Sequence, residues 1–244
     1  MKNNNHALSN IYKPSSISNI KWGFKTAHTF MICWQLQSFY YCFTKINKPI
    51  MLLEITHHEH YSRKELLLRS FFGWFYILIP HAFLLFFVAL AAGVLQFLSF
   101  WIILFTGRYP QSWFEFQVKF QSWSLRLNAS LFNIIDGYPA FGFNASHPSI
   151  EYDVPYPEHI SRVSVLLRGL FGFFYVMIPH GFILIFLGIA VQMVTFICWW
   201  IVLFTGKYPK ELFDFVIGYL KWNQRVSIYM AYMTDTYPPF SLKG

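Results

Sequence analysis

Residues 70–107, bounded by Arg69 and Arg108, and residues 169–206, bounded by Arg168 and Lys207, hold no Asp, Glu, Lys or Arg. One pass through a bilayer core takes ~20 apolar residues, so each block exceeds a simple span and just accommodates two short ones. The pattern predicts either one long helix kinked at Pro80 or Pro179, or a tight helical hairpin bending near Gly93 or Gly188. Arg63, Lys64 and Arg69 precede the first block, Arg108 and Lys119 follow it, and the second block is flanked in the same way. The positive-inside tendency then places both ends of a block on the cytoplasmic side and favours the hairpin, while single-pass units would form an inverted pair with similar charges.

Polar punctuation frames each block. Ile150-Glu-Tyr-Asp-Val-Pro-Tyr-Pro alternates apolar and polar residues and ends in prolines, as a short extended arm would. Ser62-Arg63 and Ser161-Arg162 suit a helix start with serine as the cap. Thr-Gly-Arg/Lys-Tyr-Pro closes each block: glycine ends the helix, Arg108 or Lys207 suits its C-terminus, and proline opens the next segment. Residues 210–234 place Leu212, Phe213, Val216, Tyr219, Leu220, Val226 and Met230 at helical spacing among Asp214, Lys221, Gln224 and Arg225. Charges near the middle make a span costly, so this stretch reads as an interfacial amphipathic helix.

The chain also matches itself. At an offset of 99 residues, residues 63–141 and 162–240 agree without gaps at about 32 of 79 positions. Duplication explains the agreement. Among the matches are Arg69 with Arg168, Pro80-His81 with Pro179-His180, Trp123 with Trp222, Arg126 with Arg225, Asp136 with Asp235, and Tyr138-Pro139 with Tyr237-Pro238. The expected organisation is a leader (residues 1–50), a first membrane repeat (51–145) and a second (150–244). The leader reads either as an interfacial segment or as sequence upstream of a native start at Met51.

Composition narrows the class. Of 244 residues, 55% are hydrophobic, 22% aromatic and only 12% charged, and the mean hydropathy is +0.38. With the apolar residues in long blocks, this predicts an all-α integral membrane protein of two tandem repeats. The net charge of +8 comes from cations flanking the blocks, which suits anionic lipid headgroups better than nucleic acid. Cys33, Cys42 and Cys198 form neither a disulfide framework nor a metal-like spacing. No cleavable signal sequence is evident.

Candidate chemistry is sparse. His81 and His180 lie within apolar blocks, either as proton carriers or ligands, or as imidazoles that hydrogen-bond the carbonyl each proline frees or sit near the interface. Arg126 with Asp136, and Arg225 with Asp235, read as structural pairs fixing the Tyr138 and Tyr237 turns, with phospholipid phosphate as the other possible partner of each arginine. Gln96 and Gln192 do not align under the repeat and read as local helix contacts. His57, His58, Glu59 and His60 read as surface residues, since neighbours on an extended arm cannot all face one ion. Asn128-Ala-Ser and Asn144-Ala-Ser matter only in a secretory pathway. No phosphate loop, nucleophile elbow or zinc motif is present.

Leu104-Phe-Thr-Gly-Arg-Tyr-Pro110, Leu203-Phe-Thr-Gly-Lys-Tyr-Pro209, Lys221-Trp222, Arg225 and Thr234-Asp-Thr-Tyr-Pro-Pro-Phe-Ser-Leu242 resemble a bacterial membrane family catalogued as domain of unknown function 4389. Val154-Pro-Tyr-Pro-Glu-His-Ile-Ser-Arg162 and Ile178-Pro-His180 extend the resemblance over two tandem copies, about residues 51–244. The first copy departs from the pattern at Gly137 and Ala140. The resemblance implies a bacterial cytoplasmic (inner) membrane location, and supplies no substrate, cofactor or catalytic residue. The expectation is a non-enzymatic scaffold or accessory subunit, without cofactor or metal, that contacts anionic lipids and a protein partner or second copy. A small transporter or lipid-handling protein with a path between the repeats is the main rival, and a lipid-modifying enzyme the third reading.

Overall fold

A computed structural model of the chain describes residues 50–243. The rest of the leader, and with it the question of a start at Met51, lies outside the described residues. Two strands and four helices follow one another: β1 (Leu52–Ile55), α1 (Arg63–Thr106), α2 (Gln111–Leu131), β2 (Ile150–Asp153), α3 (Arg162–Thr205) and α4 (Lys210–Met230).

Each apolar block is one continuous helix of 44 residues, α1 and α3, about 66 Å long at 1.5 Å per residue. The hairpin is not formed. A turn inside the block would strand N–H and C=O groups among apolar side chains, whereas an unbroken helix bonds them internally. The prolines are absorbed by one π-helical turn in each helix, Trp74–Leu78 and Phe173–Met177, where Ile79 N–H bonds back to the Trp74 carbonyl and Ile178 N–H to that of Phe173. Serine caps begin both helices: the Ser62 and Ser161 hydroxyls accept from Glu65 N–H (3.4 Å) and Ser164 N–H (3.3 Å). Left-handed Gly107 and Gly206, both at φ 72°, end them.

After each glycine the chain reverses, and the shorter helix runs back along its long helix. Gln117 Nε2 donates to the Ala92 carbonyl (2.7 Å), Trp123 reaches His81, and Arg69 reaches the Ser130 carbonyl at the far end of α2. The interfacial helix expected from residues 210–234 is corrected here, because α4 buries Phe213, Val216, Leu220, Arg225 and Ile228 on several sides. Most of its apolar stripe packs against the rest of the protein. The exposed charges Lys210, Glu211 and Asp214 crowd its first turns, and the cation near its other end, Arg225, is matched internally.

The long helices run antiparallel. Trp199 Nε1 donates to Ser70 Oγ (2.6 Å) toward one end, and the Phe100 ring lies against Gly169 toward the other. The ends are tied by Tyr61 N–H to the Gly206 carbonyl (2.8 Å) and Ile160 N–H to that of Gly107 (2.9 Å). The two extended arms pair with each other: β1 and β2 form an antiparallel ribbon with Leu53 opposite Tyr152 and Glu54 opposite Glu151. Leu53 and Ile55 join a core with Leu125 and Ala129 of α2 and Phe213 and Ile217 of α4. Glu54, Glu151 and Asp153 are exposed on the ribbon's outer side.

Among the described residues, one side of each long helix has no protein against it. Phe71, Phe75, Phe83, Phe86, Phe97 and Phe105 on α1, and Phe171, Phe174, Phe182, Phe186, Phe196 and Phe204 on α3, are all more than half exposed. Both helices are long and apolar enough to cross a membrane.

The two closing glycines are not equivalent. A Cβ on Gly107 would lie 2.3 Å from His159 Cε1, whereas on Gly206 its nearest neighbour is Arg63 Nε at 3.5 Å. Alanine at either site carries the left-handed penalty of about 1–2 kcal/mol, and Gly107→Ala adds a collision. Thermal unfolding in detergent, followed by circular dichroism, is expected to show a larger loss for Gly107→Ala than for Gly206→Ala. Equal losses would contradict a tight seat for His159.

Candidate functional site

Proline has no N–H, so Pro80 leaves the Tyr76 carbonyl, four residues back, without its helical donor. The Tyr138 hydroxyl donates to that carbonyl (3.3 Å) and lies 3.0 Å from His81 Nε2, while Trp123 Nε1 is 2.9 Å from His81 Nδ1. An indole N–H can only donate. His81 Nδ1 is therefore the acceptor, Nε2 carries the proton and donates to Tyr138, and Tyr138 spends its own proton on the orphaned carbonyl. The imidazole is neutral and both its nitrogens are committed.

The second half contains the same relay. Trp222 Nε1 donates to His180 Nδ1 (2.9 Å), His180 Nε2 to the Tyr237 hydroxyl (3.0 Å), and Tyr237 to the Tyr175 carbonyl (3.1 Å) freed by Pro179. Both imidazoles are fully buried. Phe240 stacks on His180 with centroids 3.9 Å apart, and Phe141 meets His81 edge-on at 4.8 Å. Burial pushes the Tyr138 and Tyr237 phenols above their ordinary range, keeping them protonated as donors. The sequence pointed to the imidazole itself as the partner of the freed carbonyl; the fold gives that place to the tyrosine and holds the imidazole between it and a tryptophan.

The arginine–aspartate pairs expected from sequence are not made. Arg126 donates to the Ala140 (3.2 Å) and Gly142 (2.6 Å) carbonyls, and Arg225 to those of Ser241 and Lys243. Each holds the segment after its helix against the helix flank, and burial lowers the pKa of both guanidinium groups. Asp235 instead pairs with Arg168 (2.8 Å) and accepts from Ser161 N–H (2.7 Å). Asp136 accepts from Ser62 N–H (2.9 Å); burial pushes its carboxyl up, against that hydrogen bond. The spacing of 10 residues within a unit suggested the wrong partners, because the arginine closer in space sits on the preceding long helix.

Arg69 and Arg168 are the residues whose role the sequence did not disclose. Arg69 donates to the Ser130 (3.1 Å) and Ile135 (2.8 Å) carbonyls, and Arg168 to those of Tyr229 (2.8 Å) and Thr234 (2.6 Å). Left-handed Asn133 (φ 56°) and Tyr232 (φ 63°) turn the chain so that these carbonyls converge. Each guanidinium thus satisfies the open carbonyl end of a short helix, where a cation also suits the helix dipole.

Arg108 and Lys207 stand exposed just beyond the long helices. His57 bonds to the Tyr208 carbonyl (2.8 Å) and His58 to Ser149 (2.8 Å). No group of three His, Cys, Asp or Glu side chains suited to a metal occurs among the described residues. Gln96 and Gln192 are more than local contacts, since both line one cavity of about 850 Å³ together with Gln117, Gln121 and Gln224.

Removing one member of a relay leaves a buried polar group unpaired, which costs about 1–3 kcal/mol. Tyr237→Phe is expected to lose that much in denaturant unfolding in micelles. In a double-mutant cycle, Trp222→Phe and Tyr237→Phe should couple by roughly 0.5 kcal/mol or more through His180. Strict additivity would mean that the relay does not act as a unit.

Residues 162–241, which carry α3, α4 and the second relay, match the family model described as "Domain of unknown function (DUF4389)". No curated protein matches the chain, and neither does any solved structure. The match covers residues 162–241 alone, and over that segment the chain is similar to this family of unknown function.

Proposed function

We propose that the chain is a non-enzymatic membrane scaffold, made by duplication of one unit, whose two long helices lie along the membrane plane and bury their bare faces in one leaflet. The observation that carries this reading is the position of the acidic ribbon relative to those helices. Antiparallel packing sets the N-termini of α1 and α3 at opposite ends of a pair about 66 Å long. From the ribbon, residues 56–62 and 154–161 must reach those two ends, and at no more than ~3.6 Å per residue they do so only if the ribbon sits near mid-length.

Upright insertion would therefore hold Glu54, Glu151 and Asp153, exposed on the ribbon's outer side, at the depth of the hydrocarbon. A carboxylate there is strongly disfavoured, and Glu54 directly opposite Glu151 is tolerable only in water. Length supports the same reading. Exposed apolar side chains on α1 run from Leu67 to Phe105, about 57 Å, against a hydrocarbon core of ~30 Å. Fitting them upright takes a tilt of about 58°, beyond the usual range of roughly 0–40°.

Lying flat, the phenylalanines enter the acyl region while Arg63, Arg108, Arg162 and Lys207, exposed near the helix ends, meet anionic headgroups. The ribbon faces water and leaves its acidic side for a protein partner. The committed nitrogens of His81 and His180 support a structural role over proton transfer. A bacterial cytoplasmic membrane is the proposed location, following the family resemblance. A transporter would need upright helices around a crossing path.

Single cysteines replacing Leu52, Gln111 and Lys210 in a cysteine-free chain, reconstituted into vesicles, test this. All three should react with an impermeant maleimide from the same side. Labelling of Gln111 and Lys210 positions from opposite sides would establish upright helices and overturn the proposal.

A further inference from the structure

The cavity of about 850 Å³ lies between the two halves of the described fold, walled by α3, by both short helices and by Gln96 of α1. Six amide side chains face it: Gln96, Gln117, Gln121, Gln192, Asn223 and Gln224. None of its lining residues is Asp, Glu, Lys, Arg or His. Ser124, Ser227 and Tyr219 also line it, the other lining residues are apolar, and Ile185 and Ile189 belong both to the lining and to the exposed face of α3. The cavity therefore shares a rim with the surface that the proposed seating presents to lipid.

The fold does not demand these amides. At the offset of 99 residues, Gln117, Gln121, Gln192 and Gln224 correspond to Val216, Leu220, Gly93 and Leu125. Val216, Leu220 and Leu125 are buried together in an apolar core. Equivalent backbone positions thus build a closed hydrophobic core on one side of the molecule and an amide-lined cavity on the other.

Some of the amides are spent on the protein. Gln96 Nε2 donates to the Met230 carbonyl (3.0 Å) and Gln117 Nε2 to that of Ala92, while Gln121 Oε1 accepts from the Tyr152 hydroxyl (2.8 Å). Gln224 is not. It is 6% exposed, and its Oε1 is buried without a hydrogen-bond partner. That oxygen has almost no accessible surface, so the amides a guest meets are those of Gln192, which is exposed, and Asn223, which is half-buried. The Tyr219 hydroxyl also faces the space, and burial keeps that phenol protonated.

We propose that this cavity binds an uncharged lipid bearing a free hydroxyl, of the diacylglycerol class, which enters from the leaflet and donates its hydroxyl proton to the amide oxygen of Gln192 or Asn223. The chains lie against Leu184, Ile185, Ile189 and Met230. Without a lining cation, a phosphate head would lose its hydration uncompensated, so charged phospholipids are excluded. The size agrees: about 850 Å³ falls within the roughly 300–1,000 Å³ of pockets that take small ligands. The proposal rests on the membrane reading for its source of lipid.

The test reconstitutes the full chain into phosphatidylcholine vesicles containing a trace of diazirine-labelled diacylglycerol, irradiates them, floats them on a gradient, and maps the label by peptide. Label is expected mainly on α3 and α4 peptides that line the cavity. Dioctanoylglycerol should compete, while a triacylglycerol and phosphatidic acid should not. A Cβ on Gly181, which lines the cavity, meets nothing within 4 Å, so Gly181→Phe should fill the space without disturbing the fold and cut the label about fivefold or more. Gln192→Leu should weaken competition by dioctanoylglycerol about three- to tenfold. Label spread evenly along α1 and α3, or equal competition by phosphatidic acid, would overturn the cavity proposal, and neither observation needs a variant. Protein that fails to float would instead overturn the membrane reading, and the same gradient separates the two failures.

Discussion

A helix surrounded by apolar side chains has no water to accept or donate where its own ladder is interrupted, and most of the polar architecture answers that constraint. Pro80 and Pro179 each leave a carbonyl without a donor, and a tyrosine from after the following short helix supplies one. Histidine and tryptophan then fix the tyrosine's direction of donation. The open carbonyl ends of α2 and α4 are bonded by Arg69 and Arg168, drawn from the long helices. Long and short helices thus complete one another's backbones, and this ties each short helix to its partner more specifically than apolar packing would.

A second consequence is the sorting of the molecule into unlike faces. Because α2 and α4 saturate the inner sides of α1 and α3, the outer sides are left to phenylalanine. The ribbon covers the short helices with Leu53 and Ile55 and turns carboxylates outward. A body with a bare aromatic face and an acidic strip at mid-length fits a lipid–water boundary better than it fits either phase alone. Positions that correspond at the 99-residue offset are filled differently on the two sides, one packed with Leu125, Val216 and Leu220 and the other lined with glutamines.

Much of this was legible in the sequence, for identifiable reasons. The uncharged blocks, the serine caps and the Thr-Gly-Arg/Lys-Tyr-Pro turns are local signals, and each marks a helix start or end in the structure. A hairpin in each block was the wrong alternative, because length alone does not tell one long helix from two short ones and the π-turn that absorbs proline has no sequence mark of its own. The partners of Arg126, Arg225, Asp136 and Asp235 were misjudged because nearness in sequence stood in for nearness in space. Pairing of the two arms, and the meeting of Gln96 with Gln192 and Gln224, depend on antiparallel packing of the long helices, which the pattern along one helix does not encode. Helices apolar enough to cross a membrane were legible in composition, whereas the proposed seating in one leaflet rests on where the ribbon's carboxylates lie relative to the helix ends.

The direction of α1 and α3 relative to the bilayer is the most direct test of this account. Isotope-edited polarised infrared spectroscopy on aligned bilayers, with a ¹³C=¹⁸O carbonyl label at Leu90 or Ile189, reports the local helix axis. The account predicts an axis close to the membrane plane at both positions. An axis near the membrane normal at either would contradict it.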